Sequence, residues 1–233
     1  MIVIDKQAIE NQYAKTGLYD SIIDSLKAKG INLNEVTRSH LSGVDEFHIR
    51  GEEVSYEIAN QVNLRNKKVL DIGCGLGGPC RMLAERYNCE THGIDMSPDY
   101  IDAAEKLSAL VNEKKASNFI VGDALNLPFE DESFDVVWTQ HVQMNIEDKR
   151  RFYSEINRVL VKGGSFLYYD IFKHYPIEIN FPVPWADDRS VSFLQTVEDM
   201  ETILSDLNLY KHVTTDQTDK GLEFLENVMD SKK

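Results

Sequence analysis

The chain is poor in cysteine: Cys74, Cys80 and Cys89 are the only three in 233 residues. An odd number with no C-x-x-C pair and no matching histidine cluster excludes a disulfide framework and signals no zinc site. Basic residues are also short, 25 Lys and Arg against 39 Asp and Glu, and the formal net charge of -14 would repel a nucleic acid backbone over most of the surface. No apolar run approaches the length that spans a bilayer, and no polybasic or amphipathic stretch supports a stable membrane anchor. Internal repeats, low-complexity tracts and Pro/Ser-rich linkers are absent. The start, MIVIDKQAIENQY, meets acidic and polar residues too soon for a secretory signal, so a reducing, cytoplasmic setting is expected. What is present is ordinary for a globular protein: 42% hydrophobic and 27% charged residues with a mean hydropathy of -0.36, enough for one large domain with an attachment.

Residues 1–66 read as an N-terminal helical cap. Leu18, Ile22, Ile23 and Leu26 recur at helical spacing before Gly30, and Val54, Ile58, Ala59 and Val62 make a second stripe. From Lys67 to the end, short apolar runs alternate with amphipathic stretches. The pattern predicts strands at KKVLDIG, ETHGIDM, NFIVGDA, FDVVWTQ and 165–171. The intervening helices fall near 79–87, 98–113 and 148–160. Five strands with crossover helices imply an α/β fold with a doubly wound, mostly parallel sheet over residues 67–233. A long proline-containing stretch, HYPIEINFPVPWADDRS, follows the fifth strand and reads as a site wall. A helix near 197–207, a strand at Leu209 to Thr214 and a helical tail bearing Leu222, Leu225 and Met229 complete the expectation.

The central motif is DIGCGLGG, residues 71–78, which follows an apolar strand and opens a helix whose first turn accepts Pro79. Gly73, Gly75 and Gly78 spell G-x-G-x-x-G, the dinucleotide fingerprint, with Asp95 about twenty residues on. Glycines let a ligand approach the amides, and the helix N-terminus favours negative charge. Asp71 points the other way, because a carboxylate in the cleft suits an ammonium and repels a pyrophosphate. Asp95 would accept two ribose hydroxyls in either case. Asp123 and Ala124, at the third strand end, would meet an adenine edge through a carboxylate and an amide. Each acid alone is equally an ordinary strand-end or helix-cap residue. Three at consecutive strand ends around one glycine loop favour a nucleoside bearing an amino acid.

These residues, in VLDIGCGLGGP, GIDMS, GDALNLPFEDESFDVVW and RVLVKGG, resemble the class I S-adenosylmethionine-dependent methyltransferases. Within them the chain is most similar to the small-molecule group related to ubiquinone/menaquinone-biosynthesis and type 11 methyltransferases. The segments DEFHIRG, WTQHVQMNI and FPVPWA fit a bacterial subgroup. The resemblance implies a Rossmann-like fold, S-adenosyl-L-methionine as cofactor with S-adenosyl-L-homocysteine as product, and a small-molecule methyl acceptor. It places Asp71, Gly73, Cys74 and Gly75 around the methionine portion, Asp95 with Met96 at ribose and adenine, and Asp123 with Ala124 at the adenine edge. Phe47, His48 and Arg50 fall where the cap of such enzymes folds over the cofactor, and Gln140 and His141 where the segment after the fourth strand faces the methyl. Such folds end in a seventh strand beside the sixth, and no apolar strand follows Thr214 here, so either that strand is missing or the tail is irregular rather than helical.

Methyl transfer from a sulfonium needs alignment and exclusion of water more than a metal or a covalent nucleophile. His141 is the first candidate base and His48 the second, with hydrogen-bonded structural roles as the ordinary alternative for both. Tyr19, Asn145 and Trp185 are candidate acceptor contacts, Trp185 through its ring face. A nicotinamide-dependent oxidoreductase and a truncated, non-catalytic cofactor-binding protein stay open as rivals. Oligomeric state is not legible.

Overall fold

The computed structural model describes residues 16–46, 48–111, 117–174 and 178–230. Helices come first: α1 (Leu18–Ala28), α2 (Arg38–Asp45) and α3 (Glu52–Ala59). The alternating part follows as β1 (Lys68–Ile72), α4 (Gly78–Tyr87), β2 (Glu90–Asp95), α5 (Pro98–Leu110), β3 (Asn118–Val121), β4 (Phe134–Gln140), α6 (Lys149–Val159) and β5 (Leu160–Tyr169). α7 (Val197–Asp206) and α8 (Thr218–Asp230) close the described chain. Several boundaries have local chemical causes. The Ser97 hydroxyl accepts from the Tyr100 amide and Pro98 opens α5. Asp148 caps α6 and Thr196 forms a capping box with Asp199 on α7, while Asn88 ends α4 in the left-handed region.

Among the described residues the sheet has five strands in the order β3-β2-β1-β4-β5, every pairing parallel. Period-two alternation divides β1 between two layers. Leu70 and Ile72, with Ile94 and Val137, pack on Phe152, Tyr153, Ile156 and Val159 of α6 and on Met200 of α7. Val69, with Val136, Trp138 and Leu167, packs on Val54 and Ile58 of α3 and Met82 and Leu83 of α4. Burying each large apolar side chain contributes about 1.5–3 kcal/mol, so both layers are needed to hold β1 at the centre. Strand order reverses between β1 and β4, and such a switch point opens a crevice at the carboxyl ends of the strands.

The structure corrects the C-terminal reading in one place. Residues 209–217 form no strand; Leu209 packs into the main core and Tyr168 Oη meets Thr214 Oγ1 at 3.1 Å. No strand follows β5 among the described residues, and a groove of about 990 Å3 lined by Phe166, Tyr168, Leu204 and Tyr210 runs beside β5. Val213 is half exposed and Tyr210 is 76% exposed, so this segment lacks the alternating burial that pairing would need. The helical tail is present as α8, and β5 begins five residues earlier than expected, straight from α6.

Candidate active site

The glycine loop runs from β1 to α4, and its amides are turned inward. Gly73 and Cys74 both donate to the Ile94 carbonyl at 2.8 and 3.1 Å, Gly75 donates to Asp95 Oδ2 at 3.0 Å, and Gly77 donates to the Cys74 carbonyl at 2.8 Å. Gly73 (φ +73°) has a second constraint, since a side chain there would run into Val142 beyond β4. Gly75 (φ +51°) faces open space, with Tyr100 as the nearest neighbour of a would-be Cβ at 3.9 Å. The start of α4 is covered, because Gly78 lies directly against the Asp45 carbonyl. A phosphate cradle needs free amides and an open helix N-terminus. This loop commits four of its amides internally and buries that terminus.

The floor beneath the loop is acidic. Asp71 is 2% exposed, accepts a long 3.5 Å contact from the Cys80 thiol and has a carboxyl held well above the usual range by burial, with the charges of Glu46 and Asp95 adding to the effect. Burial also raises Asp95, opposed by the Ser97, Gly75 and Met96 amides, so its oxygens stay oriented at the end of β2. Burial pushes the Cys74 and Cys80 thiols up, which keeps them protonated and unreactive. Cys74 therefore brings only backbone to the loop, its side chain packing with Ile101 and Phe119. At the end of β3, Asp123 Oδ1 accepts the Leu125 amide at 2.9 Å and Ala124 is half-buried.

Behind Asp71 a buried polar chain joins the N-terminal helices to β4. Glu46 Oε2 binds His48 Nε2 and accepts from Ser55 Oγ, both at 2.8 Å. Ser55 also meets Gln140, whose Oε1 accepts from Trp138 Nε1 at 2.9 Å. Glu46 Oε1 is buried without any hydrogen-bond partner. His48 lies 5.9 Å from His141, and His141 stacks on Tyr169 at 5.3 Å and 26°.

His141 occupies the left-handed region (φ +53°), unusual for a residue with a Cβ, and strain of this kind costs about 1–3 kcal/mol. Its neighbours impose it. The His141 amide donates to the Tyr169 carbonyl at 2.9 Å, and the next two amides, Val142 and Gln143, both donate to Asp170 Oδ2 at 3.1 Å. Asp170 is fully desolvated, which moves its carboxyl up to about 6 against the pull of those amides. Among the described residues the His141 ring has no hydrogen-bond partner, and burial with His48 nearby lowers it to about 3, so it is neutral.

Several expected contacts lie elsewhere. The Arg50 guanidinium (residue φ +71°) turns away to Glu53 and Glu57 at 2.8–2.9 Å and to Gln217 Oε1 at 3.2 Å, so it fastens the chain before α8 onto α3. The Asn145 amide donates to the Trp185 and Val191 carbonyls at 3.1 and 2.7 Å, so it secures the proline-containing loop. That loop holds Trp185 half-buried, its Nε1 on Ser192 Oγ at 3.0 Å. Tyr19 packs beside α5 under Lys106, and Gln140 is spent inside the buried chain. Phe47 lies outside the described residues. Arg81 is 1% exposed and pairs with Asp45 at 2.6 Å while donating to the Leu76 carbonyl of the glycine loop at 2.5 Å.

Residues 70–168 match the family model described as a methyltransferase domain. This stretch of the chain is thus similar to a methyltransferase domain. Tocopherol O-methyltransferase, chloroplastic, of Arabidopsis thaliana is 38% identical over 130 residues, covering 54% of this chain and 37% of that protein. Norajmaline N-methyltransferase of Rauvolfia serpentina is 39% identical over 134 residues, covering 56% and 46%. The chain thus spans less than half the length of these curated relatives. The fold matches phosphoethanolamine N-methyltransferase 2 of Haemonchus contortus, solved with S-adenosyl-L-methionine, at a TM-score of 0.76 and 22% identity, over 100% of this chain and 51% of that one.

Three functional candidates in and beside the methyltransferase domain escaped the sequence reading: Glu46, Tyr169 and Asp170. Asp170 was signalled as a fourth acid at a strand end, and Tyr169 by its alternation with Leu167 on β5. Glu46 sits inside DEFHIRG, where Phe47, His48 and Arg50 drew the attention, and only the fold brings it beside Asp71.

Proposed function

We propose that this chain is an S-adenosyl-L-methionine-dependent methyltransferase acting on nitrogen or oxygen of a small molecule. The observation that carries this reading is the inward-turned glycine loop over an acidic floor, which suits a cationic amino-acid end and disfavours a pyrophosphate. The residues fit the cofactor class in a second respect: the buried Glu46 oxygen has no partner of its own and awaits a donor. When bound, the cofactor supplies a methyl group on a sulfonium, already activated for in-line displacement.

The chain's own residues then divide the work. Asp95 accepts ribose hydroxyls, with Met96 beside it, and Asp123 with Ala124 meets the adenine edge. Asp71 and the backbone of Gly73, Cys74 and Gly75 surround the amino-acid end. His141, neutral and without a protein partner, accepts a hydrogen bond from the acceptor's N–H or O–H and aims its lone pair, with His48 and Tyr169 closing the same wall. Trp185 lines the acceptor side. Residues 1–66 act as a cap over the unit formed by residues 67–233, excluding water. Relatives named for O- and for N-methylation leave both acceptor atoms within reach of this arrangement. The net charge of -14 favours a small acceptor over nucleic acid, and three buried free thiols suit a reducing, cytoplasmic setting.

The test is calorimetric titration with S-adenosylmethionine, S-adenosylhomocysteine and NADH in parallel. Saturable binding of the first two alone is expected, and Asp95→Ala should weaken it at least about a hundredfold by removing two charge-assisted hydrogen bonds. Binding of NADH alone, or an unchanged affinity in Asp95→Ala, would overturn the assignment.

A further inference from the structure

Glu46 is built for a donor that the protein does not provide. Its side chain is fully buried, Oε2 is held by His48 and Ser55, and Oε1 is left bare. A buried carboxylate oxygen without a donor is costly, and native structures seldom keep one without a use. Its charge reaches Asp71, which also has no cation against it. We infer that Glu46 is a second carboxylate for the cofactor's ammonium group, acting together with Asp71. The inference rests on the methyltransferase reading and adds to it a residue outside the glycine loop.

The charged surroundings are consistent with this. Glu46 faces His48, Ser55, Asp71 and its neighbour Asp45, while Asp71 faces Cys80, Cys74, Glu46 and Asp95. Arg81 is committed to Asp45 and three oxygens from Leu76, Ala104 and Ser108.

The experiment is calorimetric binding of S-adenosylmethionine, S-adenosylhomocysteine and 5′-methylthioadenosine, the last lacking the amino-acid end, to wild type, Glu46→Gln, His48→Gln and the double variant. Glu46→Gln should lose about tenfold to a hundredfold affinity for the first two ligands and none for the third. Equal affinity of Glu46→Gln and wild type overturns the inference, as does a loss shared by methylthioadenosine or confined to the sulfonium ligand. A loss matched by His48→Gln, with nothing added in the double variant, overturns it too, because Glu46 would then act only through His48. If wild type binds neither S-adenosyl ligand, the methyltransferase reading itself fails.

Discussion

Asp45→Ala should be the most damaging single substitution outside the site. Asp45 and Arg81 are 0% and 1% exposed at their side chains, with Nη2 and Oδ1 2.6 Å apart. Removing the carboxylate strands a guanidinium in the core, and breaking such a pair costs about 3–5 kcal/mol. Against a total of about 5–15 kcal/mol that is about a fifth or more of the stability of a typical domain. With a urea slope of about 3 kcal/mol per molar, the unfolding midpoint should fall by about 1–2 M. The same loss reaches the site, since Arg81 also holds the Leu76 carbonyl and Gly78 rests on the Asp45 backbone. Replacing both partners by apolar residues, Asp45→Leu with Arg81→Met, removes the stranded charge and should recover much of the midpoint. Urea denaturation of wild type and the two variants, followed by far-ultraviolet circular dichroism, measures this. A single variant within about 0.5 kcal/mol of wild type, or a double variant no better than the single, would refute the reasoning.

His141→Asn, which tolerates the left-handed backbone, should fold normally and lower turnover about a hundredfold or more with little change in cofactor affinity. Because the folded-state value of His141 is about 3 and an unfolded histidine sits near 6.5, the unfolded chain binds more protons between these values. Wild type should therefore lose about 1.4 kcal/mol per pH unit relative to His141→Asn on acidification below pH 6.5, as read from denaturation curves at several pH values. Arg50→Ala cuts the ties to Glu57 and Gln217 and should speed proteolysis within 218–230 severalfold while the sheet persists, seen by mass spectrometry of limited digests.

The parallel sheet and its crossover helices were legible because apolar runs of strand length alternate with stripes of helical period, and caps such as Ser97 and Thr196 mark the boundaries. The strand expected at 209–214 was an error of composition: Leu209, Tyr210 and Val213 have strand propensity, but Tyr210 and Val213 find no apolar face to bury against. The acids at the strand tips were readable from spacing, since a parallel sheet fixes where each strand ends. Side-chain direction was not. Arg50 reads as a ligand contact from its neighbours in DEFHIRG, yet Glu53 and Glu57, one and two turns on, capture it. Asn145 reads as an acceptor contact, yet it meets carbonyls forty and forty-six residues away. Long-range partners of that kind leave no local trace.

The position of β1 between two neighbours has a consequence for exchange kinetics. Asp71 sits on a strand hydrogen-bonded on both sides, so its amide can exchange only when the sheet comes apart. Trp185 lies on a loop fastened by a few polar contacts, and its amides can exchange through small local openings. Under the proposed methyl transfer, an acceptor would enter and a product leave by loosening the wall around Trp185 many times within one lifetime of the floor around Asp71.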